Sequence, residues 1–200
     1  MIEEILPLNG PQLISALNQP ISEVDIWGRA TGKSFIIGNE MNDIIRSMPR
    51  SITSITGQTY GQLLTRTLPS SFKLLEQLGY KRYVPGEGGH YVINEKPPKH
   101  FLTPYEPVLN HKNFISFSNG TGFLLLSQER IGSARGPNVD REIVDEALTI
   151  KQERYDQETS PTNRGNLEHF GDLSVKPVLK HHGCRYVRSM PCIPKQKCLV

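Results

Sequence analysis

The residues whose types and spacing could perform chemistry begin with a glycine-bracketed turn that ends in a lysine and a serine. A short apolar run precedes this turn and an amphipathic pattern follows it, so the turn joins a predicted strand to a helix N-terminus. The backbone N–H groups of such a turn, with the positive end of a helix dipole behind them, form a nest that binds phosphate. The predicted phosphate-binding segment consists of Gly28, Arg29, Ala30, Thr31, Gly32, Lys33 and Ser34.

Two residues give this segment the chemistry of a nucleotide site. The Lys33 ammonium supplies a mobile positive charge for the β- and γ-phosphate oxygens, and the Ser34 hydroxyl can bind Mg²⁺. The usual spacing G-x-x-x-x-G-K-[ST] requires glycine at position 27, where this chain has Trp27. The loop is therefore one residue short and contains an arginine, Arg29. The alternative is an ordinary strand-to-helix turn with an exposed lysine, and a second motif must decide between the two.

A pair of successive carboxylates supplies that second motif. Asp145 and Glu146 follow the apolar residues Ile143 and Val144, so they stand at the end of a short predicted strand. P-loop ATPases use such a pair beside the phosphate loop, where the first acid holds Mg²⁺ and the second polarises the attacking water. An acidic first turn of a helix is the alternative. Together the two motifs favour a site for ATP and Mg²⁺.

Length and composition define the class of protein. The 200 residues suit one domain with a full core, and 36% hydrophobic with 22% charged residues is a globular composition. A net charge of +3 permits a polyanionic partner. The sequence contains no apolar run that could span a bilayer, and its acidic start is unlike a signal peptide. These two features predict a cytoplasmic protein that does not associate with a membrane. The three cysteines lie in the last seventeen residues and are odd in number, which favours reduced thiols over a disulfide framework. The lack of a close cysteine pair makes zinc binding the less favoured interpretation.

Periodicity and turn residues predict the elements that hold these motifs. Helices are predicted over residues 11–17, 32–48, 59–68 and 148–156, with a further helix capped by Ser70 and Ser71 and ending at Gly79. Strands are predicted over residues 51–56, 90–93, 114–118 and 123–126, the last two joined by a glycine turn. Residues 83–107 are rich in glycine and proline and are predicted to be mostly loop.

The order of these parts resembles the ATPase half of the large terminase subunit of tailed phages, the motor that drives DNA into a procapsid. The resemblance rests on the short lysine loop with its arginine, on Ser-Ala-Arg-Gly at 133–136 ahead of Ile-Val-Asp-Glu-Ala at 143–147, and on a later Ser-Met-Pro. It extends over residues 12–191. It implies an α/β P-loop NTPase fold of the ASCE or RecA-like kind, a three-layer sandwich whose mostly parallel central sheet is flanked by helices.

The resemblance also implies roles for particular residues. The segment from Gly28 to Ser34 would be the deviant Walker A loop of that family, Asp145 would bind Mg²⁺ together with Ser34, and Glu146 would be the catalytic glutamate. Arg29 and Arg135 match the two arginines that act on the phosphates, one of them in a neighbouring subunit's site. A coupling motif that senses the γ-phosphate is matched by Ser189, Met190 and Pro191. Gln12 either reaches the adenine edge or is a helix-surface glutamine.

The function implied by the resemblance is that of a packaging motor. Residues 1–200 would form a single P-loop ATPase domain that couples ATP hydrolysis to translocation of double-stranded DNA. Its expected partners are further copies in a homo-oligomeric ring, the portal and the small terminase subunit, in the host cytoplasm. The nuclease domain of complete large subunits is not expected in this chain, and neither is nuclease activity. The alternatives are a helicase-like P-loop translocase and a truncated, non-catalytic fragment that binds nucleotide or DNA.

Overall fold

The computed structural model describes residues 8–17, 31–129, 138–146, 150–151, 153, 155–159 and 165–170. Several predicted features lie outside these ranges. They are the strand before the phosphate loop, the loop residues Gly28, Arg29 and Ala30, the arginine Arg135, and the coupling motif Ser189, Met190 and Pro191. Their roles stay predictions.

The two helices predicted on either side of the phosphate loop are confirmed. Helix α1 spans Gly10–Leu17, and helix α2 spans Lys33–Ser47. Apolar residues recur along α2 at helical spacing and are buried as one stripe, which consists of Ile36, Ile37, Met41, Ile44 and Ile45. The chain enters α2 through Gly32, whose φ of 79° is a left-handed conformation that glycine adopts without a Cβ clash. The phosphate loop can therefore turn sharply into the helix.

A five-stranded sheet forms the centre of the described part of the chain. Its strands are β1 (Ile52–Gly57), β2 (Tyr91–Ile93), β3 (Phe114–Phe117), β4 (Gly122–Ser127) and β5 (Arg141–Val144). They lie in the order β2-β3-β4-β1-β5, with β1 parallel to both β4 and β5. Strand β3 is antiparallel to β2 and β4, so it alone among the described strands runs against the others. The mostly parallel sheet, its edge strand β2 and the β3–β4 hairpin confirm the predictions.

The helical segment after β1 differs from the prediction. The sequence predicts two helices, the second capped by Ser70 and Ser71, but one continuous helical segment is present. It consists of α3 (Tyr60–Gln62), a π-helical turn (Leu63–Thr67) and α4 (Leu68–Gln77). Pro69 lacks an N–H group, but it lies directly after the π-helical turn, where the Leu68 N–H already bonds the Leu63 carbonyl outside the regular α-helical pattern, so the proline does not end the helical segment. The predicted cap is therefore wrong, and both serines lie inside α4.

The main hydrophobic core lies between the sheet and the helices α2 and α4. Strand residues Ile55, Phe123 and Ile143 pack there with Met41 of α2 and Leu75 of α4. Complete burial of each such side chain contributes roughly 1.5–3 kcal/mol. This core fixes α2, which begins at the phosphate loop, against the strand that carries the acidic pair.

The remaining described elements are short. Tyr155–Thr159 forms a π-helical turn, so the end of the helix predicted over 148–156 is not α-helical, and α5 spans Leu167–Phe170. Most of residues 83–107 are loop, as predicted. Among the described residues, no helix is both long and apolar enough to cross a membrane.

Candidate nucleotide site

The end of the phosphate loop is held by two side chains at the start of α1. Gln12 Nε2 donates a hydrogen bond to the Gly32 carbonyl at 3.0 Å, and Asn9 Nδ2 donates to the Thr31 carbonyl at 3.0 Å. Asn9 and Gln12 also bond each other's backbone N–H groups through their side-chain oxygens. Gln12 is 6% exposed, so the alternative of a surface glutamine is wrong. Its contact with adenine stays a prediction.

Lys33 is buried, although the alternative interpretation of the loop requires an exposed lysine. It is the first residue of α2 and only 5% of its surface is exposed. A buried ammonium group needs a compensating charge or hydrogen bonds. Burial raises the pKa of the Asp145 carboxyl, and the charge of Lys33 is among the effects that oppose this rise, so the two side chains share one electrostatic environment. The two sequence motifs thus lie on the same part of the molecule.

Asp145 lies just beyond β5 and is almost fully buried. Its backbone N–H donates to the Thr56 carbonyl at 2.8 Å, which extends the parallel pairing with β1 by one residue. The Thr67 hydroxyl donates to Asp145 Oδ2. Burial, together with the charge of Glu146, raises the pKa of Asp145 to about 6 against the opposing effects of the Thr67 hydrogen bond and the charge of Lys33. A carboxylate in this environment is costly to ionise without a nearby cation.

Glu146 turns the chain away from the strand direction. Its φ of 55° is in the left-handed region, which is uncommon for residues other than glycine and recurs at functional sites. This conformation is not that of a right-handed helix, so the alternative of an acidic first helical turn is wrong at Glu146. Adjacent residues of a regular strand point to opposite faces of the sheet. Because the chain leaves the strand conformation at Glu146, its side chain does not have to point away from that of Asp145. The two carboxylates can therefore serve different tasks in one site.

The donor set fits Mg²⁺. This ion prefers hard oxygen ligands, one or two of them carboxylates, together with oxygens of a bound phosphate. Asp145 supplies a buried carboxylate, and Ser34 is half-buried at the start of α2. A divalent cation would offset the burial that raises the pKa of Asp145. Ser34 and Asp145 are therefore suitable residues for holding Mg²⁺ beside a triphosphate.

Two buried hydroxyl side chains of the site were not predicted. Thr67 bonds Asp145, and the Ser71 hydroxyl donates to the Ser34 carbonyl at 2.7 Å. These two residues are four positions apart and so share a helix face. That spacing is visible in the sequence, but the predicted boundary between two helices assigned Thr67 and Ser71 to different elements.

A buried ion pair joins α2 to the acidic strand and was also not predicted. Arg141 of β5 and Glu40 of α2 approach to 3.4 Å, with their side chains 4% and 3% exposed. Because both partners are buried, salt screens this contact much less than it screens a surface ion pair. The contact ties the helix behind the phosphate loop to the strand that leads to Asp145.

Comparison with solved structures assigns the fold. The chain matches the ATPase domain of the Thermus phage P74-26 large terminase with a TM-score of 0.52 and 19% identity, covering 78% of this chain and 60% of that one. It also matches the large terminase of a thermophilic bacteriophage with a TM-score of 0.54 and 13% identity, covering 88% of this chain and 39% of that one. The fold is that of a terminase ATPase domain. Neither the models of protein families nor the curated protein sequences gave a match.

Within this terminase-type fold, the described site residues converge at the start of α2 and the end of β5. One helical segment connects them, because Thr67 donates to Asp145 and Ser71 donates to the Ser34 carbonyl. The predicted α/β P-loop fold is confirmed by the likeness to the two terminases. The chain spans about three fifths of one of these proteins and two fifths of the other, so the likeness concerns the fold and not the whole protein's activity.

Proposed function

We propose that this chain is the ATP-hydrolysing motor domain of a viral DNA-packaging terminase large subunit. The proposal rests on one observation: a single helical segment contacts both sequence motifs, because the Thr67 hydroxyl donates to Asp145 Oδ2 and the Ser71 hydroxyl donates to the Ser34 carbonyl. In this function ATP hydrolysis drives double-stranded DNA into a procapsid. The motor works as a homo-oligomeric ring with the portal and the small terminase subunit as partners.

Each described residue has a task in this chemistry. Lys33 and the backbone N–H groups at the start of α2 bind the β- and γ-phosphate oxygens. The lysine carries a full positive charge, and the N–H groups carry partial positive charges, so both attract an anion. Ser34 and Asp145 hold Mg²⁺, which when bound neutralises charge on the phosphate oxygens. Glu146 orients and polarises the attacking water.

An arginine completes the site. The guanidinium fork of Arg29 or Arg135 neutralises charge that spreads over the transferring phosphoryl oxygens, and one of the two acts on the nucleotide of a neighbouring subunit. Such an arginine is worth roughly 10³ to 10⁵ in rate. Hydrolysis therefore depends on subunit association, and turnover per chain should rise with protein concentration.

Two substitutions test the nucleotide site. Lys33→Ala should abolish binding of a fluorescent ATP analogue, because it removes the only side-chain cation of the loop's last four residues. Glu146→Gln should keep that binding but stop phosphate release. Lys73→Ala, which removes an exposed lysine of α4, is the matched control and should change neither. Unchanged phosphate release from either site variant would contradict the assigned roles.

A basic cleft at the loop 96–111 supports DNA as the partner. The cleft has a volume of about 540 Å³, and no carboxylate is among its lining residues. Its lining combines cationic with aromatic side chains, among them Arg50, Lys96, Lys99, His111, Phe101 and Tyr105. The Arg50 guanidinium lies over the Tyr105 ring at 4.3 Å. Burial, and to a smaller degree the charge of Lys96, lowers the pKa of His111. Such a surface attracts phosphates.

Salt dependence of DNA binding tests this partner. Replacing Lys96 and Lys99 together by alanine should weaken duplex binding and lower the slope of log affinity against log salt by about 2, because each phosphate contact releases counterions. Lys73→Ala, outside the cleft, should leave the slope unchanged. Equal slopes in the double variant and the unaltered chain would exclude the cleft from DNA binding.

The same assays separate the proposed motor from the alternatives. A helicase-like translocase would hydrolyse ATP with DNA alone, whereas the packaging motor should need the portal or the small terminase subunit for full activity. A non-catalytic fragment would bind ATP without releasing phosphate at any protein concentration.

A further inference from the structure

One helical segment contacts both residues that are proposed to hold Mg²⁺. The hydroxyl of Thr67 donates to the carboxylate of Asp145, and the hydroxyl of Ser71 donates to the backbone carbonyl of Ser34. Thr67 is 5% exposed and Ser71 is fully buried. The segment Tyr60–Gln77 thus bridges the phosphate-loop helix and the acidic strand.

The π-helical turn decides which side chain of this segment faces Asp145. In that turn the Leu68 N–H bonds the Leu63 carbonyl, five residues back instead of four. Leu63 is therefore aligned with Leu68, and both are buried in the hydrophobic core. In a regular α-helix Leu63 would share its face with Thr67. The extra residue in the π-helical turn rotates the following side chains by about 100° around the helix axis. Leu63 and Leu68 therefore lie on the apolar face, and Thr67 and Ser71 lie on a separate face that carries hydroxyl groups.

Close packing fixes the other end of the bridge. A Cβ atom added to Gly38 of α2 would lie 2.8 Å from the Ser71 Cα, so the two helix backbones are in direct contact there. Ser34 and Gly38 are four residues apart and share the face of α2 that meets Ser71. The bridge is therefore anchored to the same helix that begins at the phosphate loop.

We propose that Thr67 is a positioning residue for Asp145 and that the helical segment Tyr60–Gln77 sets the placement of Asp145 relative to Ser34. The inference rests on the proposed nucleotide site and adds a residue outside both sequence motifs. A side chain that hydrogen-bonds a metal-binding carboxylate orients it, and the loss of such a partner typically lowers metal affinity by 10- to 100-fold. Thr67 supplies that hydrogen bond from a buried position.

The test measures Mg²⁺ binding and not turnover. Binding of a fluorescent ADP analogue to the full chain is titrated with Mg²⁺, and the Mg²⁺ concentration at half effect is compared among variants. Thr67→Val, which keeps the shape but removes the hydroxyl, should raise that concentration by about 10- to 100-fold. Affinity for the analogue in EDTA should stay unchanged, because no hydrogen bond joins Thr67 to the described loop residues 31–34. Thr67→Ser, which restores the hydroxyl, should return the value to that of the unaltered chain.

Thr65→Val is the matched control in the same π-helical turn. Thr65 is exposed, and its hydroxyl donates to the Gly61 carbonyl at 2.7 Å, so this variant should bind Mg²⁺ normally. The proposal is overturned if Thr67→Val titrates like the unaltered chain, or if Thr67→Ser is as impaired as Thr67→Val. An unaltered chain that binds the analogue with no effect of Mg²⁺ would overturn both this proposal and the proposed function. A failure confined to the Thr67 variants would leave the proposed function standing.

Discussion

Replacing Glu142 by glutamine should stabilise the protein at neutral and alkaline pH but not at acidic pH. Glu142 lies in the middle of β5, in register with Ser54 of β1, and is fully buried. The Tyr155 hydroxyl donates to Glu142 Oε2 at 3.1 Å, and within the described part of the chain Oε1 has no hydrogen-bond partner. Burial raises the pKa of Glu142 from 4.5 to about 7, against the opposing effect of the Tyr155 hydrogen bond.

The size and sign of the effect follow from linkage. In the unfolded chain Glu142 ionises near pH 4.5, whereas in the folded chain it stays protonated until about pH 7. Between these values the folded state binds more protons, so the free energy of unfolding falls as pH rises. A shift of that size corresponds to about 3 kcal/mol above the folded-state pKa, because each pKa unit is worth about 1.4 kcal/mol. Glutamine cannot ionise, and its side-chain oxygen can still accept from Tyr155.

Urea unfolding of both proteins between about pH 4 and about pH 8 measures the effect. The difference in the free energy of unfolding should be small at the acidic end and grow to about 3 kcal/mol in favour of Glu142→Gln at the alkaline end. Asp140 and Asp145, whose pKa values are also raised by burial, are present in both proteins and cancel in the difference. Glu87→Gln, at an exposed loop position, should show no such trend. A difference that stays constant with pH would refute the reasoning.

Three further substitutions test the packing behind the site. Glu40→Gln should lower the free energy of unfolding by about 3–5 kcal/mol, because it removes the carboxylate that faces the buried Arg141. Replacing both Glu40 and Arg141 by methionine should recover most of that loss, as measured by urea unfolding. Gly38→Ala should cost about 1–3 kcal/mol in thermal unfolding, since the new Cβ would lie 2.8 Å from the Ser71 Cα. Gly32→Ala, at a φ of 79°, should strain the loop by about 1–2 kcal/mol and weaken nucleotide binding in a fluorescence titration.

Local sequence patterns were sufficient for most of the secondary structure. The apolar stripe of α2 repeats at helical spacing, and the strands of the β3–β4 hairpin flank a glycine turn, so each pattern is complete within a short window. The exception is the helical segment around Pro69. A proline indicates a helix end by its missing N–H, and whether the helix continues depends on a neighbouring turn that the sequence does not mark.

The sequence by itself determined the chemical groups of the candidate site. A lysine and a serine follow a glycine turn, and two carboxylates follow an apolar strand. These groups are suited to phosphate and Mg²⁺ by their own chemistry, and their order along the chain resembles a terminase. Only the tertiary structure decided which distant groups share an environment. The parallel pairing of β1 with β5 extends to Asp145, and the π-helical turn directs Thr67 toward Asp145 while Ser71 of the same segment contacts Ser34 at the start of α2. Burial then raises the pKa values of Asp145 and Glu142, because desolvation depends on what surrounds a carboxyl group and not on its neighbours in sequence.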